Sequence, residues 1–357
     1  MKRLFFILLS FYSVSDANAQ CWQDITLGRE HVLDQGLQQT IGIKTDGTLW
    51  AWGWNNNGQL GDGTFIDKII PTQIGIANNW QAVSTGSMHT IALKNDGTLW
   101  AWGVNTLGSL GDGTTIDKII PTQIGTDNDW KTICAGTYHN LAIKTDGTLW
   151  AWGPNDYGQL GDGTIVSSTS PVQIGVATNW ETIATGAYHS LAIKSDGTLW
   201  TWGWNDFGQV GDGTIINKLT PTQIGIATNW KEISAGTKHS VAVKSDGTLW
   251  SWGSNFQGYL GDGTNIDKHT PIQVGIGTNW KFISSNHTHT LAIKTDGTLW
   301  AWGSNLQGCL GDGTWTDQNA PLQIGTATSW QNINAGTIYT IGIQTDGNYS
   351  AWGMNQV

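Results

Sequence analysis

The sequence predicts an all-β protein: a seven-bladed β-propeller built from four-stranded repeats of about 50 residues, with the last blade incomplete. Three observations support this fold class. The motif Asp-Gly-Thr-Leu-Trp recurs at a fixed spacing, each repeat contains four short extended segments, and tryptophan returns at the same slots in successive repeats. Such regularity is typical of folds in which one supersecondary unit is stacked or arranged around an axis.

The fixed spacing of the motif defines one repeat domain. The motif begins at Asp46 and returns at positions 96, 146, 196, 246 and 296, with a degraded seventh copy at Asp346. Units therefore begin near residues 22, 80, 130, 180, 230, 280 and 330, and the propeller occupies residues 20–357. A single four-stranded blade cannot bury both of its apolar faces, so we expect the blades to pack face to face around a closed ring.

The second unit illustrates the four extended segments, which are residues 80–84, 89–94, 98–103 and 121–124. Asp96 and Gly97 lie between the second and third segments, and Asp-Gly between two alternating runs is a strong hairpin signal. A glycine-rich loop separates the third segment from the fourth. The fourth begins with Pro121, which suits an edge strand or the first residue of a strand.

The tryptophans occupy three repeated slots that account for 20 of the 23 in the chain. A residue that every unit needs is best explained by packing between blades. Trp54, Trp204 and Trp315 lie outside the pattern. The slots are Trp22, Trp80, Trp130, Trp180, Trp230, Trp280 and Trp330; Trp50, Trp100, Trp150, Trp200, Trp250 and Trp300; and Trp52, Trp102, Trp152, Trp202, Trp252, Trp302 and Trp352.

The first and last units depart from the repeat. In the first unit 22 positions separate Trp22 from Lys44, against 14 between Trp80 and Lys94, so eight residues are inserted. We expect the insertion after His31, within residues 32–39. The last unit stops before its glycine-rich loop and fourth segment, so either the seventh blade has three strands or the sequence is part of a longer protein.

The N-terminus carries the features of a secretory signal peptide over residues 1–19. Lys2 and Arg3 precede an apolar run over residues 4–14, and Ala17-Asn18-Ala19 is a cleavage motif. We therefore expect cleavage near Ala19 and a secreted, extracellular or periplasmic protein without membrane insertion.

Three cysteines do not make a disulfide framework, and a Cys21–Cys309 pair is possible. Cys134 replaces Ser84 and Ala184 of other units, which predicts a small buried side chain.

The composition narrows the partner classes. Charged residues make up 12% of the chain, hydrophobic residues 39%, and the net charge is −10. This combination argues against a disordered chain, which needs high charge and few apolar residues. The acidic balance also argues against nucleic acid as a partner, because phosphate binding needs an excess of lysine and arginine.

The repeated motifs resemble the regulator of chromosome condensation repeat. The matching pattern is W-x-x-I-x-x-G-x-x-H, then D-G-T-L-W-x-W-G-x-N-x-x-G-Q-L-G, then a proline-led strand, over about residues 22–357. The resemblance implies a seven-bladed propeller. The founder of the family is a eukaryotic nuclear nucleotide-exchange factor that binds chromatin, and the export signal and acidic charge argue against both roles here. Other members are secreted bacterial propellers, including inhibitors that bind a β-lactamase with one face, and we expect this chain to be a secreted bacterial member.

Two repeated polar slots could suggest metal sites, but a structural role fits both better. Histidine recurs at His89, His139, His189, His239 and His289, each at the start of a predicted strand. His287 and His289 form an H-x-H pair, yet no third zinc ligand has suitable spacing. Asp62 and its equivalents each stand alone among glycines, whereas calcium needs six or more oxygens. We predict turn and hydrogen-bonding roles, with no metal and no cofactor.

Catalysis has little support, because glutamate occurs three times and no carboxylate pair or nucleophile–base arrangement breaks the repeat. No catalytic residue is assigned. The preferred hypothesis is a non-catalytic, monomeric scaffold for an unidentified protein partner. A glycan-binding or cell-wall module is the first alternative, and an enzyme with a site at the channel mouth is the second.

Large apolar and aromatic residues that break the repeat mark the candidate binding site. They follow the repeated Trp-Gly or precede the repeated histidine, where the latter slot holds Met88, Tyr138, Tyr188 and Lys238. Both slots lie in strand connections and hence at a rim of the ring, though not necessarily the same rim. Aromatic residues of this kind are enriched in binding hot spots. We predict a protein-binding rim on the third and fourth units that uses Tyr138, Tyr157, Tyr188, Trp204 and Phe207.

Overall fold

The computed structural model describes residues 22–28 and 39–354, which form a closed ring of seven antiparallel sheets. The predicted all-β seven-bladed propeller is confirmed. In each sheet the strands follow one another in chain order, so each blade is a simple meander. Within these residues, no helix is long and apolar enough to cross a membrane.

The strands of the first three blades are β1 (Trp22–Leu27), β2 (Gln39–Lys44), β3 (Leu49–Gly53) and β4 (Lys68–Gln73); β5 (Trp80–Thr85), β6 (His89–Lys94), β7 (Leu99–Gly103) and β8 (Lys118–Gln123); and β9 (Trp130–Ala135), β10 (Asn140–Lys144), β11 (Leu149–Gly153) and β12 (Ser168–Gln173). Short 3-10 turns occur at Thr106–Gly108 and, in the sixth blade, at Leu306–Gly308.

The remaining strands are β13 (Trp180–Thr185), β14 (His189–Lys194), β15 (Leu199–Gly203) and β16 (Lys218–Gln223); β17 (Trp230–Ala235), β18 (His239–Lys244), β19 (Leu249–Gly253) and β20 (Lys268–Gln273); β21 (Trp280–Ser285), β22 (His289–Lys294), β23 (Leu299–Gly303) and β24 (Gln318–Ile324); and β25 (Trp330–Ala335), β26 (Tyr339–Gln344) and β27 (Tyr349–Gly353). Among the described residues, the seventh sheet has three strands and the other six have four.

The first strand of each blade lies at the inside of the ring. Neighbouring first strands contact one another in turn from β1 to β25, and β25 contacts β1, which closes the ring. The fourth strands lie at the circumference, and their residues are half-buried or exposed apart from the buried Ile324 at the end of β24.

The hairpin between the second and third strands explains the Asp-Gly-Thr-Leu-Trp motif. The backbone N–H and the hydroxyl of Thr48 donate to Asp46 Oδ1 at 3.0 and 2.6 Å, and the Trp50 indole N–H donates to Thr48 Oγ1 at 2.8 Å. Gly47 has φ +78°, which favours glycine. The ammonium group of Lys44 lies 3.7 Å from the centre of the Trp50 ring. The predicted turn role of this aspartate is confirmed.

The glycine-rich loop is organised by a buried asparagine that the sequence analysis did not single out. Asn55 Nδ2 donates to Asp62 Oδ1 at 2.9 Å and to the Thr64 carbonyl oxygen at 3.0 Å, and Asn55 Oδ1 accepts from the Leu60 N–H. The Asp62 carboxylate also accepts from Thr64 and pairs with Lys68 Nζ at 2.8 Å. The carboxylate therefore serves the turn, as predicted.

The repeated histidines join each blade to the next. His89 Nε2 hydrogen-bonds to Asn140 Oδ1 at 2.8 Å, and His239 Nε2 to Thr290 Oγ1 at 3.1 Å, each across a blade boundary. The histidines of the third, fourth and sixth blades make the equivalent bond to a hydroxyl of the following blade. All five rings are buried, which confirms the structural role predicted for this slot.

Apolar side chains from two blades form one cluster at each joint. Between the second and third blades, Ile91 and Leu93 pack with Trp130 and Trp152. Leu110, from the glycine-rich loop, is also fully buried in this cluster. The third-slot tryptophans Trp102, Trp152, Trp202, Trp252 and Trp302 have no exposed surface, in agreement with their predicted packing role.

The joint between the seventh and first blades differs from the others, and we call it the seam. Its cluster consists of Ile25 and Leu27 from the first blade and Ile341 and Ile343 from the seventh, with half-buried aromatic residues around them. Tyr339 takes the histidine slot of the seventh blade, since it pairs with Gly353 as the histidines pair with their glycines.

The position of the insertion corrects the sequence analysis. Gln39 pairs with Gly53 in the register that His89 and Gly103 adopt, so Gln39 fills the histidine slot and begins β2. Gly28 bonds to the Gln39 carbonyl as Gly86 bonds to that of His89. The additional residues therefore lie between Gly28 and Gln39, and placing the insertion after His31 and up to residue 39 was wrong. Residues 29–38 themselves lie outside the described part of the chain.

The cysteines partly match expectation. Cys309 is free and buried, its Sγ donates to the Ser304 carbonyl oxygen at 3.2 Å, and burial raises the pKa of its thiol to about 12. Cys134 is half-buried rather than buried, with its Sγ 3.1 Å from Thr185 Oγ1 in the next blade. Cys21 and the predicted signal peptide over residues 1–19 lie outside the described residues.

Replacing Trp152 with alanine is expected to lower the free energy of unfolding by about 3–5 kcal/mol, because removing a fully buried indole leaves a cavity. Trp204→Ala should lower it by less than half as much, since the Trp204 side chain is only half-buried. Urea or thermal unfolding of both variants measures the difference. Equal losses would contradict the separation of ring tryptophans from off-pattern ones.

The buried histidines predict a loss of stability in mild acid. Burial lowers the pKa of His89 to about 4 and that of His239 and His289 to about 3. Unfolded histidine titrates near 6.5, so their stabilising contribution is complete above that pH and falls as the pH drops towards the folded pKa. The thermal midpoint should therefore decrease between pH 7 and pH 4.5.

A His239→Gln variant is the matched control, because glutamine already fills this slot at position 39. The free-energy difference between the native chain and this variant should shrink by roughly 2–3 kcal/mol from pH 7 to pH 4.5. Asp24, whose pKa burial raises to about 6, acts in the opposite sense and is common to both proteins. Parallel stability curves would show that His239 is not held neutral by the fold.

Candidate functional site

The two aromatic slots lie on the same face of the ring. In an antiparallel meander, the connection between strands one and two and the connection between strands three and four leave the sheet at the same end. Backbone bonds join the two connections directly: the Trp204 N–H donates to the Tyr188 carbonyl oxygen at 2.8 Å, and the Ser254 N–H to that of Lys238 at 2.9 Å. The structure therefore settles which slots share a rim.

The five residues singled out from the sequence form one continuous group of rings, which we call the aromatic patch. The ring centre of Tyr188 lies 5.3 Å from that of Tyr138 and 5.1 Å from that of Tyr157. Trp204 lies 5.7 Å from Tyr157 and 5.4 Å from Phe207. These distances are those of packed aromatic pairs. The patch spans the third and fourth blades, and all five side chains are half-buried.

Buried glutamines hold the loop backbone at two residues of the patch. The N–H of Tyr157 donates to Gln159 Oε1 at 2.9 Å, and the N–H of Phe207 donates to Gln209 Oε1 at 3.0 Å. Both glutamines are fully buried and belong to the Gly-Gln segment of the repeated loop. The buried glutamine, which several units share, thus holds the loop backbone, while the side chain at the position of Tyr157 and Phe207 differs between blades.

Tyr188 is the central member of the patch. Burial raises the pKa of its hydroxyl well above the usual range, and the hydrogen-bonded Tyr138 hydroxyl beside it adds to the effect. Tyr188 is therefore un-ionised at neutral pH. Asp156, exposed next to Tyr157, contributes further to raising the pKa of Tyr188.

Lys238 extends the patch onto the fifth blade. Its ammonium group lies 4.6 Å from the Phe207 ring centre and 5.7 Å from that of Trp204. Both distances are within the range of cation–π attraction. The sequence analysis placed Lys238 in the same slot as Tyr138 and Tyr188, but it centred the predicted site on the third and fourth units and did not include this residue of the fifth.

The chemistry of the patch suits recognition of another molecule. The rings offer apolar area, and the tyrosine hydroxyls are neutral groups that can donate and accept hydrogen bonds. In residues 22–28 and 39–354, no three histidine, cysteine or acidic side chains are placed to hold a metal ion. His289 of the H-x-H pair is buried and bonded to Thr340 Oγ1 at 3.1 Å, so it serves the blade joint.

Comparison with known proteins places the chain in a family. Residues 77–357 match the RCC1-like domain, and residues 46–93 and 22–59 match the regulator of chromosome condensation (RCC1) repeat. The chain belongs to the RCC1-like domain family. The resemblance inferred from the repeated motifs is thereby confirmed at the level of the family.

Solved structures of this propeller type superpose closely. The chain is similar to human WBSCR16, with a TM-score of 0.78 and 20% identity over 95% of this chain and 88% of that one. It is also similar to Prp20p of Saccharomyces cerevisiae, with a TM-score of 0.74 and 22% identity over 90% of this chain and 81% of that one. At these identities the similarity supports the fold.

A relative from Arabidopsis thaliana, the ultraviolet-B receptor UVR8, is 35% identical over 48 residues. The match covers 13% of this chain and 11% of the receptor, which amounts to about one repeat. The receptor's activity is therefore not carried over to this RCC1-like domain.

Proposed function

We propose that this chain is a secreted, non-catalytic RCC1-like propeller that binds a protein partner through the aromatic patch. The observation that carries the proposal is that large residues at positions that vary between the units lie next to one another in space. Packing between blades requires the same residue in every unit, whereas the slots that form the patch hold different residues in different units. Phe207, for example, corresponds to Asn57 and Gln257.

The composition of the patch supports a protein as the bound molecule. Tyrosine, tryptophan and phenylalanine with a neighbouring lysine are typical of the energetic centre of protein interfaces. A scaffold whose loops are held by buried hydrogen bonds loses little conformational freedom on binding, which favours affinity. A glycan-binding module built on a repeat would instead be expected to offer similar sites on several blades. The ring contacts of the patch join residues of the third and fourth blades, which favours a single protein-binding site.

Proteins of similar fold provide a precedent for partner binding. Yeast RCC1 (Prp20) has been crystallised with Kap60 bound, and the structure of Prp20p was described together with its binding to Gsp1p and histones. Kap60, Gsp1p and histones are partners of the yeast protein and are not assigned to this chain. For this chain, the acidic charge of −10 disfavours nucleic acid as the bound molecule, and the export signal expected at residues 1–19 favours a protein met outside the cytoplasm.

Export itself has a direct test. N-terminal sequencing of the protein recovered outside the cytoplasm should begin at Gln20, as the cleavage motif requires. Retention of residues 1–19 in an intracellular protein would contradict the proposed localisation without affecting the binding site.

An alanine series at Tyr138, Tyr157, Tyr188, Trp204 and Phe207 tests the binding face. After the partner is identified by cross-linking in the native extracellular fraction, at least two variants should weaken binding by about tenfold or more, which corresponds to about 1.4 kcal/mol. Their thermal midpoints should change little, because the side chains are only half-buried.

Trp54→Ala is the matched control for this series, since Trp54 holds the Trp204 slot in the first blade, away from the patch. It should leave the dissociation constant unchanged. If all five patch variants lose stability and none weakens binding selectively, the rings serve loop packing and the proposed site is wrong.

A further inference from the structure

The third blade carries uncompensated negative charge at the end of its sheet that displays the aromatic patch. In four other blades the fourth strand begins with a lysine that pairs with the loop aspartate, as Lys68 Nζ does with Asp62 Oδ2 at 2.8 Å. Ser168 holds this position in the third blade, where it pairs with Gly153 at the patch end of the sheet. Asp162, the loop aspartate of this blade, therefore forms no ion pair within the described residues.

Asp156 is a second carboxylate on this face, and it belongs to the loop that displays Tyr157. Its side chain is exposed and takes part in no ion pair within residues 22–28 and 39–354. The carboxylate helps to raise the pKa of Tyr188, so it lies within electrostatic reach of the patch. An aspartate occupies this slot in the third and fourth units, whereas the first, second, fifth and sixth hold Asn56, Thr106, Phe256 and Leu306.

The lysines of the third blade lie at the opposite end of its sheet. They are Lys131 and Lys144, and Lys144 pairs with Trp130 where β9 begins and β10 ends. The patch lies beyond the end of β9 and the start of β10. Lys144 Nζ is moreover paired with Asp127 Oδ2 at 2.6 Å and with Asp129 Oδ1 at 3.1 Å. The carboxylates on the patch face of this blade therefore have no cation of their own blade beside them.

The next joint of the ring shows what the third-blade loop lacks. Between the fourth and fifth blades, the Lys238 ammonium group lies 4.6 Å from the ring centre of Phe207, whose loop also carries the exposed Asp206. Between the third and fourth blades, Tyr188 occupies the slot of Lys238, and its ring centre lies 5.1 Å from that of Tyr157. Both joints combine an aspartate with aromatic rings, but within the described part of the chain only the later joint adds a lysine to them.

We infer that Tyr138, Tyr157 and Tyr188, together with Asp156, bind an arginine side chain of the protein partner. This inference rests on the proposed function and names the chemistry that the partner presents to the patch. Charge complementarity supports it, because the whole chain has a net charge of −10 and the described third blade has carboxylates without a lysine on this face.

The geometry of the rings favours arginine over lysine. The ring centres of Tyr138 and Tyr188 lie 5.3 Å apart with an angle of 30° between the ring planes, so the two faces offer a flat aromatic surface. A planar guanidinium group stacks on such a surface, and its forked N–H groups pair with a carboxylate through two hydrogen bonds. A lysine ammonium group has the charge but neither the plane nor the fork.

Fluorine NMR of the mature chain labelled with 3-fluorotyrosine tests the site with a defined probe, the peptide acetyl-Gly-Arg-Gly-amide. The signals of the three patch tyrosines should shift in a saturable way during titration, while those of Tyr259, Tyr339 and Tyr349 should not and serve as internal controls. A peptide with citrulline in place of arginine keeps the shape without the charge. We expect the citrulline peptide, and the corresponding lysine peptide, to bind roughly fivefold more weakly.

Asp156→Asn is the variant that locates the site. It removes a negative charge at an exposed position, so the thermal midpoint should stay as in the native chain while the dissociation constant of the arginine peptide rises roughly fivefold. Asp206→Asn is the matched control, because it removes the same charge from the same slot of the next blade, where Lys238 already supplies the cation. It should leave the dissociation constant unchanged.

Equal affinity for the arginine peptide and either control peptide would overturn the inference. So would equal affinity of the native chain and the Asp156→Asn variant, or unshifted patch signals at millimolar arginine peptide. Arg29 is the one arginine of the chain outside the predicted signal peptide. If Arg29→Gln shifts the patch signals without any peptide, this chain or a second copy fills the site itself, and the assignment to a partner is wrong.

The outcome is separable from that of the alanine series on the patch. If the alanine variants weaken partner binding but the arginine peptide does not bind, the protein-binding face stands and the arginine is wrong. If the peptide binds but the alanine variants bind the partner normally, the proposed function is wrong, and so is the assignment of the arginine to that partner. If both hold, replacing the recognised arginine of the partner with alanine should make Asp156→Asn silent, and this non-additivity identifies the pair.

Discussion

The joint between neighbouring blades is the interaction on which the rest of the molecule depends. No blade buries both of its faces alone. Each contributes several aliphatic residues to a cluster completed by the next blade, and the second to sixth blades each add a histidine that bonds to the next blade. The fixed period follows from this, because a change in spacing would move a histidine away from its hydroxyl or amide partner. Tryptophan at three slots per unit supplies the large apolar volume that a thin four-stranded sheet requires.

The repeat made most of the fold predictable, because its signals are local. The Asp-Gly turn, the proline that begins the fourth strand and the tryptophan slots each reflect contacts within a blade or to the next one. The prediction failed where the repeat is interrupted. His31 resembles the repeated histidine in type and position, and only the strand register shows that Gln39 fills the slot. Cys134 was expected to be buried because its equivalents are small, yet its side chain is half-buried.

The aromatic patch was predictable in its residues but not in its geometry. Departures from a near-perfect repeat identify positions that packing does not constrain, and this singled out the five rings. Whether Tyr157 in the third blade reaches Tyr188 in the fourth depends on the angle between blades, which the sequence does not encode locally. Lys238 was missed as a site residue for the same reason, since its relation to Phe207 is a matter of distance rather than residue type.

The replacement of histidine at the seam gives the ring an unequal set of joints. Tyr339 stands at the seam where five other joints have the buried histidine, with its hydroxyl 3.4 Å from Thr40 Oγ1 of the first blade, and among the described residues the apolar cluster there is smaller than elsewhere. A linear array of repeats frays from two free ends, whereas a uniform ring has none. A ring with one weaker joint opens there first and then behaves as a linear array whose ends are the first and seventh blades. Amide protons should therefore exchange fastest in these blades and slowest on the opposite side of the ring, which is where the aromatic patch lies.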